Sequence, residues 1–313
     1  MPRPILLGIV GDSAAGKTTL TRGLVRILGE AQVTHISADH YHRYDRQQRA
    51  ELGLTPLHPR ANHIDVLTQH LEHLRAGDPI LKPVYSHRDG TFAAAEYVPP
   101  AQFTIVEGLL GFHTPAMRDL YDVRVYLDPP EDLRRSWKVQ RDCSRRGYTT
   151  DQVLEELDRR EADAEAYIRP QRRHADLVIS FTRGDGDDQA HFDATIAMRP
   201  GLTHPDLSSL VPRSSDEITL HERGDELSLW VSGTIGPSPG AAIEETVWDR
   251  MHFASHLRTE RLGEFTVGTQ LHRSESLAIT QLLVLYQLVT ARAAVAVGAA
   301  GTRTDTPSSA VVR

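Results

Sequence analysis

The chain has 313 residues, of which 40% are hydrophobic and 25% charged, and its net charge is -7. That length allows a main domain plus a smaller one, and the charge sets up no overall field to draw in nucleic acid or an acidic membrane. A lone cysteine, Cys143, excludes an internal disulfide and any multi-thiolate metal site, so a reducing, cytoplasmic setting is expected.

The first predicted element is a strand, Ile5 to Val10, too short for a signal-peptide core. It runs into Gly11 to Thr18, GDSAAGKT, and then into a helix ending near Gly29. The spacing G-x-x-x-x-G-K-T between strand and helix has a physical reading. Gly11 and Gly16 let the loop wrap a phosphate chain with its N–H groups inward, and Lys17 brings a point charge to the β- and γ-phosphates. The Thr18 hydroxyl can reach Mg²⁺, and the helix N-terminus adds partial positive charge. Gly11, Asp12, Ser13, Ala14, Ala15, Gly16, Lys17, Thr18 and Thr19 are thus expected to cradle a nucleoside triphosphate.

A second strand, Val33 to Ser37, leads into Asp39-His40-Tyr41-His42-Arg43-Tyr44-Asp45-Arg46. Such a cluster lies where open α/β sheets bind ligands, at the carboxyl ends of strands. An ionised Asp39 can accept the proton of an acceptor hydroxyl, with His42, Arg43 and Arg46 placed to bind an anionic acceptor. Thr55 to Asp65 reads as a loop, followed by an amphipathic helix to Arg75 that Gly77 ends. Lys82 to His87 is a short extended piece with Tyr85 and His87 on one face, and Arg88 to Thr91 a turn.

Phe103 to Gly108 reads as a buried parallel strand ending in a carboxylate, Glu107, which can hold Mg²⁺ opposite the phosphate loop. After a strand at Val123 to Leu127, a helix opening at Asp128 places Lys138, Arg141, Asp142 and Arg145 on one face. Thr149-x-x-Gln152 forms a capping box for a second basic helix carrying Arg159 and Arg160. Two basic helices joined by a tight turn resemble a lid, here about 138–165, that closes over a transferring phosphoryl group. Ala175 to Phe181 is the last parallel strand.

A domain boundary is expected at 182, with 183–188 reading as a linker. Beyond it, Glu217 to Leu220 and Glu226 to Ser232 alternate as a hairpin, and helices are expected at Ala242 to His256 and Ser274 to Val297. The last of these is interrupted by Gln281, Gln287 and Arg292, so it reads as a buried or interface helix. The expected fold is α/β: a P-loop nucleotide-binding fold with a mostly parallel sheet flanked by helices, its domain spanning 1–182. A small α+β unit at 183–300 and a frayed tail at 301–313 complete it.

In order along the chain, DHYHR, LTPLHPRANHID, KPVYSH, IVEGL and KVQRDCSRRGYTTDQVLEELDRR resemble the phosphoribulokinase family, within the wider group that includes uridine kinase. The resemblance implies transfer of the ATP γ-phosphate to the 1-hydroxyl of ribulose 5-phosphate, with Mg²⁺, in a homodimer that needs neither nucleic acid nor membrane. It implies Asp39 as catalytic base and Glu107 as the metal-associated acid beside Thr18. His42, Arg46 and Arg141 resemble sugar-phosphate binders, and Lys17, Lys138, Asp142, Arg146 and Arg160 match active-site and lid positions. Arg60, Tyr85 and His87 match acceptor-site positions. Light-regulated relatives carry cysteines where this chain has Ala15 and Ser37, so no thiol–disulfide switch is expected.

Two other readings stand beside it. A uridine kinase or related small-molecule kinase would share loop, base and lid, but not the extra carboxy-terminal unit or the dense cations after Asp39. A non-catalytic nucleotide-binding scaffold would have no need of a base.

Overall fold

The computed structural model describes residues 2–184, 191–208, 211, 215–249, 251, 257–267 and 270–299, the side chains of 145, 146, 237–239 and 267 excepted. In chain order the elements begin β1 (Ile5–Gly11), α1 (Lys17–Leu28), β2 (Val33–Ser37), α2 (Arg46–Glu51) and α3 (Ile64–Ala76). A hairpin of β3 (Ile80–Ser86) and β4 (Thr91–Val98) precedes β5 (Phe103–Gly108), α4 (Pro115–Leu120) and β6 (Val123–Leu127). Next come α5 (Glu131–Arg146), α6 (Thr150–Asp163), β7 (Leu177–Arg183), β8 (Phe192–Met198), β9 (Ile218–Arg223) and β10 (Glu226–Val231). The chain continues through α7 (Pro237–Asp249), β11 (Glu264–Val267), β12 (Gln270–Arg273) and α8 (Glu275–Ala296).

Eight of these strands form one sheet in the order β2-β5-β1-β6-β7-β8-β10-β9. The first five are parallel and the last three antiparallel, as expected of a mostly parallel sheet. Along β1, side chains alternate between two cores. Leu7 and Ile9 join Leu20, Leu24 and Ile27 of α1 and Leu282 and Leu285 of α8. Leu6 and Val10 join Leu67 and Leu71 of α3 and Met117 of α4. Burial on both faces explains why β1 and β5 read as unbroken apolar runs.

The region after 182 departs from a separate unit. β8 pairs antiparallel with β7 from Leu177↔Met198 to Arg183↔Phe192, and β10 and β9 extend the same sheet. A bare β7 edge would leave a row of unpaired backbone groups, and β8 covers it. Helix α8 is long and apolar enough to cross a membrane. Its Ser276 to Val289 stretch is nevertheless buried, against β1, β6, β8 and α1. The expected linker residues 185–188, the end of the expected helix at His256 and the tail 301–313 lie outside the described residues.

This topology brings the carboxyl ends of β1, β2 and β5 side by side, with Ile9 and Ser37 both in register with Glu107. Above that edge stand α5 and α6, packed on each other. The turn between them ends α5 at Gly147 in the left-handed region and starts α6 with the expected Thr149/Gln152 capping box.

Candidate active site

The loop after β1 turns twice through the left-handed region, at Ala14 (φ 66°) and Gly16 (φ 95°). Gly16 is the N-cap of α1 and has no side chain to accept from the first-turn N–H groups, so that helix end faces the loop as an anion-binding terminus. The Lys17 ammonium donates to the carbonyls of Gly11 (2.8 Å) and Asp12 (2.7 Å). Burial lowers its pKa, against the opposing pull of Asp39, Glu107 and Asp12. Asp12 accepts from the Ser13 N–H, and Arg134 of α5 donates to the Ser13 carbonyl at 3.1 Å. The first turns of α5 are thereby tied to the phosphate loop.

Thr18 Oγ1 donates to Glu107 at 3.0 Å, and His35 Nε2 lies 3.3 Å from the same carboxylate. A hydroxyl and a carboxylate side by side are hard oxygen donors, and two of them suit Mg²⁺, which keeps several waters and phosphate oxygens of its own. The residues present therefore fit that ion.

Asp39 sits in a 3-10 turn, Ala38–Tyr41, directly after β2. Burial pushes its carboxyl up, but His42, Lys17, His87 and His40 together bring it below the ordinary carboxylate value. Around it the β3–β4 hairpin closes one wall. The Tyr85 N–H donates to His40 Nδ1 at 3.0 Å, so that His40 carries its proton on Nε2. Tyr85 stands edge-on to His42, ring centroids 4.7 Å apart, and His87 packs on Tyr85 at 5.1 Å. Arg46 donates to the His87 carbonyl at 2.5 Å, joining α2 to the end of the hairpin.

Residues of α5 and α6 form a second charged group. Lys138 and Asp142 pair at 2.7 Å with both side chains buried, and Arg141 Nε donates to the same carboxylate at 2.8 Å. Burial and Arg141 pull Lys138 down to about 8 despite Asp142. Asp142 is held at about 2, because the bonds from Arg141 and Lys138 outweigh its burial. Arg141 also acts on Lys17, and Arg160 on Lys138, so this cluster and the loop share one electrostatic site. Arg160 is paired with Glu156 on its own helix.

Arg60 lines an open groove of about 640 Å³ with Arg43, His113 and Thr114. That groove shares Asn62 and Ile64 with the pocket beside Asp39. The Arg146 side chain lies outside the described residues. Sequence reasoning missed Arg134 and also Arg49, a buried guanidinium that donates to Tyr85 Oη at 2.7 Å and to the Tyr44 carbonyl at 2.6 Å. A signal for Arg49 exists: Asp45-x-x-Gln48 is a capping box that starts α2 and sets Arg49 on its inner side.

Residues 6–185 match the model of the phosphoribulokinase/uridine kinase family. The chain belongs to that family. It is 40% identical over 179 residues to the phosphoribulokinase of Synechocystis, covering 57% of this chain and 54% of that one. To the uridine kinase of Oceanobacillus iheyensis it is 33% identical over 181 residues, covering 56% of this chain and 86% of that one. The chain thus spans about half the length of the phosphoribulokinase it matches. The solved phosphoribulokinase of Rhodobacter spheroides superposes with a TM-score of 0.59 at 21% identity, covering 80% of this chain and 97% of that one. That likeness speaks to the fold, and it reaches past the family's matched stretch into the carboxy-terminal region.

Proposed function

We propose that the protein is a phosphoribulokinase, moving the γ-phosphoryl of ATP to the 1-hydroxyl of ribulose 5-phosphate and releasing ADP. One observation carries this reading: a depressed carboxylate, Asp39, shares its surroundings with Lys17 of the phosphate loop and with three histidines. Arg46 stands on the adjoining helix and Arg141 on the lid. An acceptor bearing its own phosphate calls for such cations; a nucleoside does not.

Asp39 accepts the proton of the attacking hydroxyl as its oxygen bonds to the γ-phosphorus and the bond to the β–γ bridging oxygen breaks. Lys17, by exchanging its carbonyl partners for phosphate oxygens, follows charge onto the leaving group. Thr18 and Glu107 would hold Mg²⁺, which would supply positive charge to offset that building up on the phosphates. Lys138, Arg141, Asp142 and Arg160 carry the lid's charge toward the loop and keep water out on closure. His42, Arg46, Tyr85, His87 and Arg141 line the acceptor side. Arg60 reaches the acceptor side from the adjoining groove.

The test offers the protein Mg-ATP with ribulose 5-phosphate, with uridine, or with no acceptor. Turnover on ribulose 5-phosphate alone is expected, and turnover on uridine alone would overturn the reading. The family resemblance implies a cytoplasmic homodimer, and sedimentation equilibrium would check its mass.

A further inference from the structure

Histidine beside a phosphorylated acceptor is usually taken as a cation. The surroundings of His42 point elsewhere. Asn62 Nδ2 donates to the carbonyls of Pro56 and His58, both at 3.0 Å, so its amide orientation is fixed. Its Oδ1 therefore faces His42 Nδ1 at 2.8 Å, and only a protonated Nδ1 can make that bond. In the neutral ring this leaves Nε2 as a lone pair, a hydrogen-bond acceptor.

The second observation is Arg49. Its side chain is buried, yet among the described residues no carboxylate lies within ion-pair distance of it. Its charge is met by the Tyr44 carbonyl, by Tyr85 Oη and by the Tyr85 ring face, 5.2 Å from the guanidinium carbon. Burying a cation without a counterion is costly, and hydrogen bonds offset only part of that cost, so its place here calls for a role. Tyr85 is the neighbour that packs edge-on against His42.

We infer that Arg49 is a positioning residue which, through Tyr85, holds His42 in its neutral Nδ1–H form, so that His42 accepts from a hydroxyl of the sugar rather than pairing with its phosphate. The inference deepens the proposed function and rests on it for the identity of the sugar. The groups acting on His42 agree on the direction. Burial comes first, and with Arg49 and His87 it brings the imidazole down to about 4, against the opposing influence of Asp39 and the Asn62 bond. Phosphate recognition is then left to Arg46 and Arg141, and His42 distinguishes acceptors by a hydroxyl they donate.

Nitrogen-15 spectra of histidine-labelled full-length protein test this, with the His42 signal assigned by its loss in His42→Gln. Between pH 6 and 8, His42 is expected to show a protonated Nδ1, a bare Nε2 and no titration. In Arg49→Met its midpoint should move up toward 6.5, the ordinary value. At a pH below that raised midpoint the acceptor KM should then rise about three- to tenfold, the worth of one hydrogen bond, with kcat and the ATP KM within about twofold. Arg49→Lys should restore the low midpoint, because the charge returns, and recover part of the KM. A purely structural Arg49 would move kcat and both KM values together. A protonated His42 or an Nε2–H form in the unmodified protein at pH 7 would overturn the inference, as would an unchanged midpoint and KM in Arg49→Met. Should the methionine variant not fold, the unmodified protein and Arg49→Lys decide the matter. The spectra need no acceptor, so failure here is separable from failure of ribulose 5-phosphate as substrate.

Discussion

Thr18 Oγ1 and the Glu107 carboxylate meet at 3.0 Å although 89 positions separate them in the chain. One ends the phosphate loop and the other ends the neighbouring strand β5, and their meeting defines where a hard cation fits. Glu107→Gln keeps the shape and removes the charge. Turnover should fall about 10²-fold, and the Mg²⁺ concentration giving half-maximal rate should rise, because a neutral amide oxygen is a poorer ligand. A magnesium titration of ATP-dependent turnover checks both.

Asp39→Asn should lower kcat by about 10²–10⁴-fold with the ATP KM nearly unchanged, the usual worth of a positioned base. The sign of its pH effect follows from the lowered pKa. The carboxylate stays ionised as pH drops, and its share of the rate is lost only as pH falls through a value below 3.8. Any acid limb seen between pH 5 and 7 should therefore persist unchanged in the residual activity of Asp39→Asn.

Gly108 follows Glu107, and a Cβ there would stand 2.4 Å from the Ala38 Cβ, next to Asp39. Gly108→Ala must push that turn outward. Overpacking of this kind costs about 1–3 kcal/mol, and a displaced base costs rate beyond that. Urea unfolding should show the modest stability loss while kcat drops about tenfold or more.

The buried Lys138–Asp142 pair predicts a stability asymmetry. Asp142→Asn leaves two cations facing no charge and should cost about 3–5 kcal/mol, read by urea unfolding. Asp142 is held at about 2 against an ordinary 3.8. Its contribution is thus complete above about pH 4 and lost as pH falls through 2. Lys138 gives a slope of the same sign in a different window. Lowered from 10.5 to about 8, it makes the fold more stable as pH rises from 8 toward 10.5.

With Ala15 in the loop and Ser37 before the base, oxidation should not switch activity. Cycles of oxidant and dithiol are expected to leave turnover unchanged, in the unmodified protein and in Cys143→Ser alike.

What could be read from the sequence was whatever has a local period or a fixed spacing. The loop from Gly11 to Thr18, the carboxylates at strand ends and the Thr149 capping box are of that kind. Strand β4 was missed because Thr91 to Tyr97 is exposed on both faces, so Phe92-Ala93-Ala94-Ala95 shows no alternation. Strand β8 was missed because its burial lacks a clean period of two. Arg49 and Arg134 escaped notice for a different reason. Their partners, Tyr85 and Ser13, are 36 and 121 positions away, and no spacing rule encodes such meetings. The boundary at 182 followed a change in composition, whereas the ladder from β7 to β8 crosses that point without a break.

That ladder bears on how the protein can be divided. A fragment stopped after Arg183 would keep every residue assigned here to phosphoryl transfer, yet it would lose the helix lying over Leu7 and Ile9. Trimming to the family-matched stretch should accordingly yield an insoluble product, because the apolar faces of β1 and α1 would lose their cover.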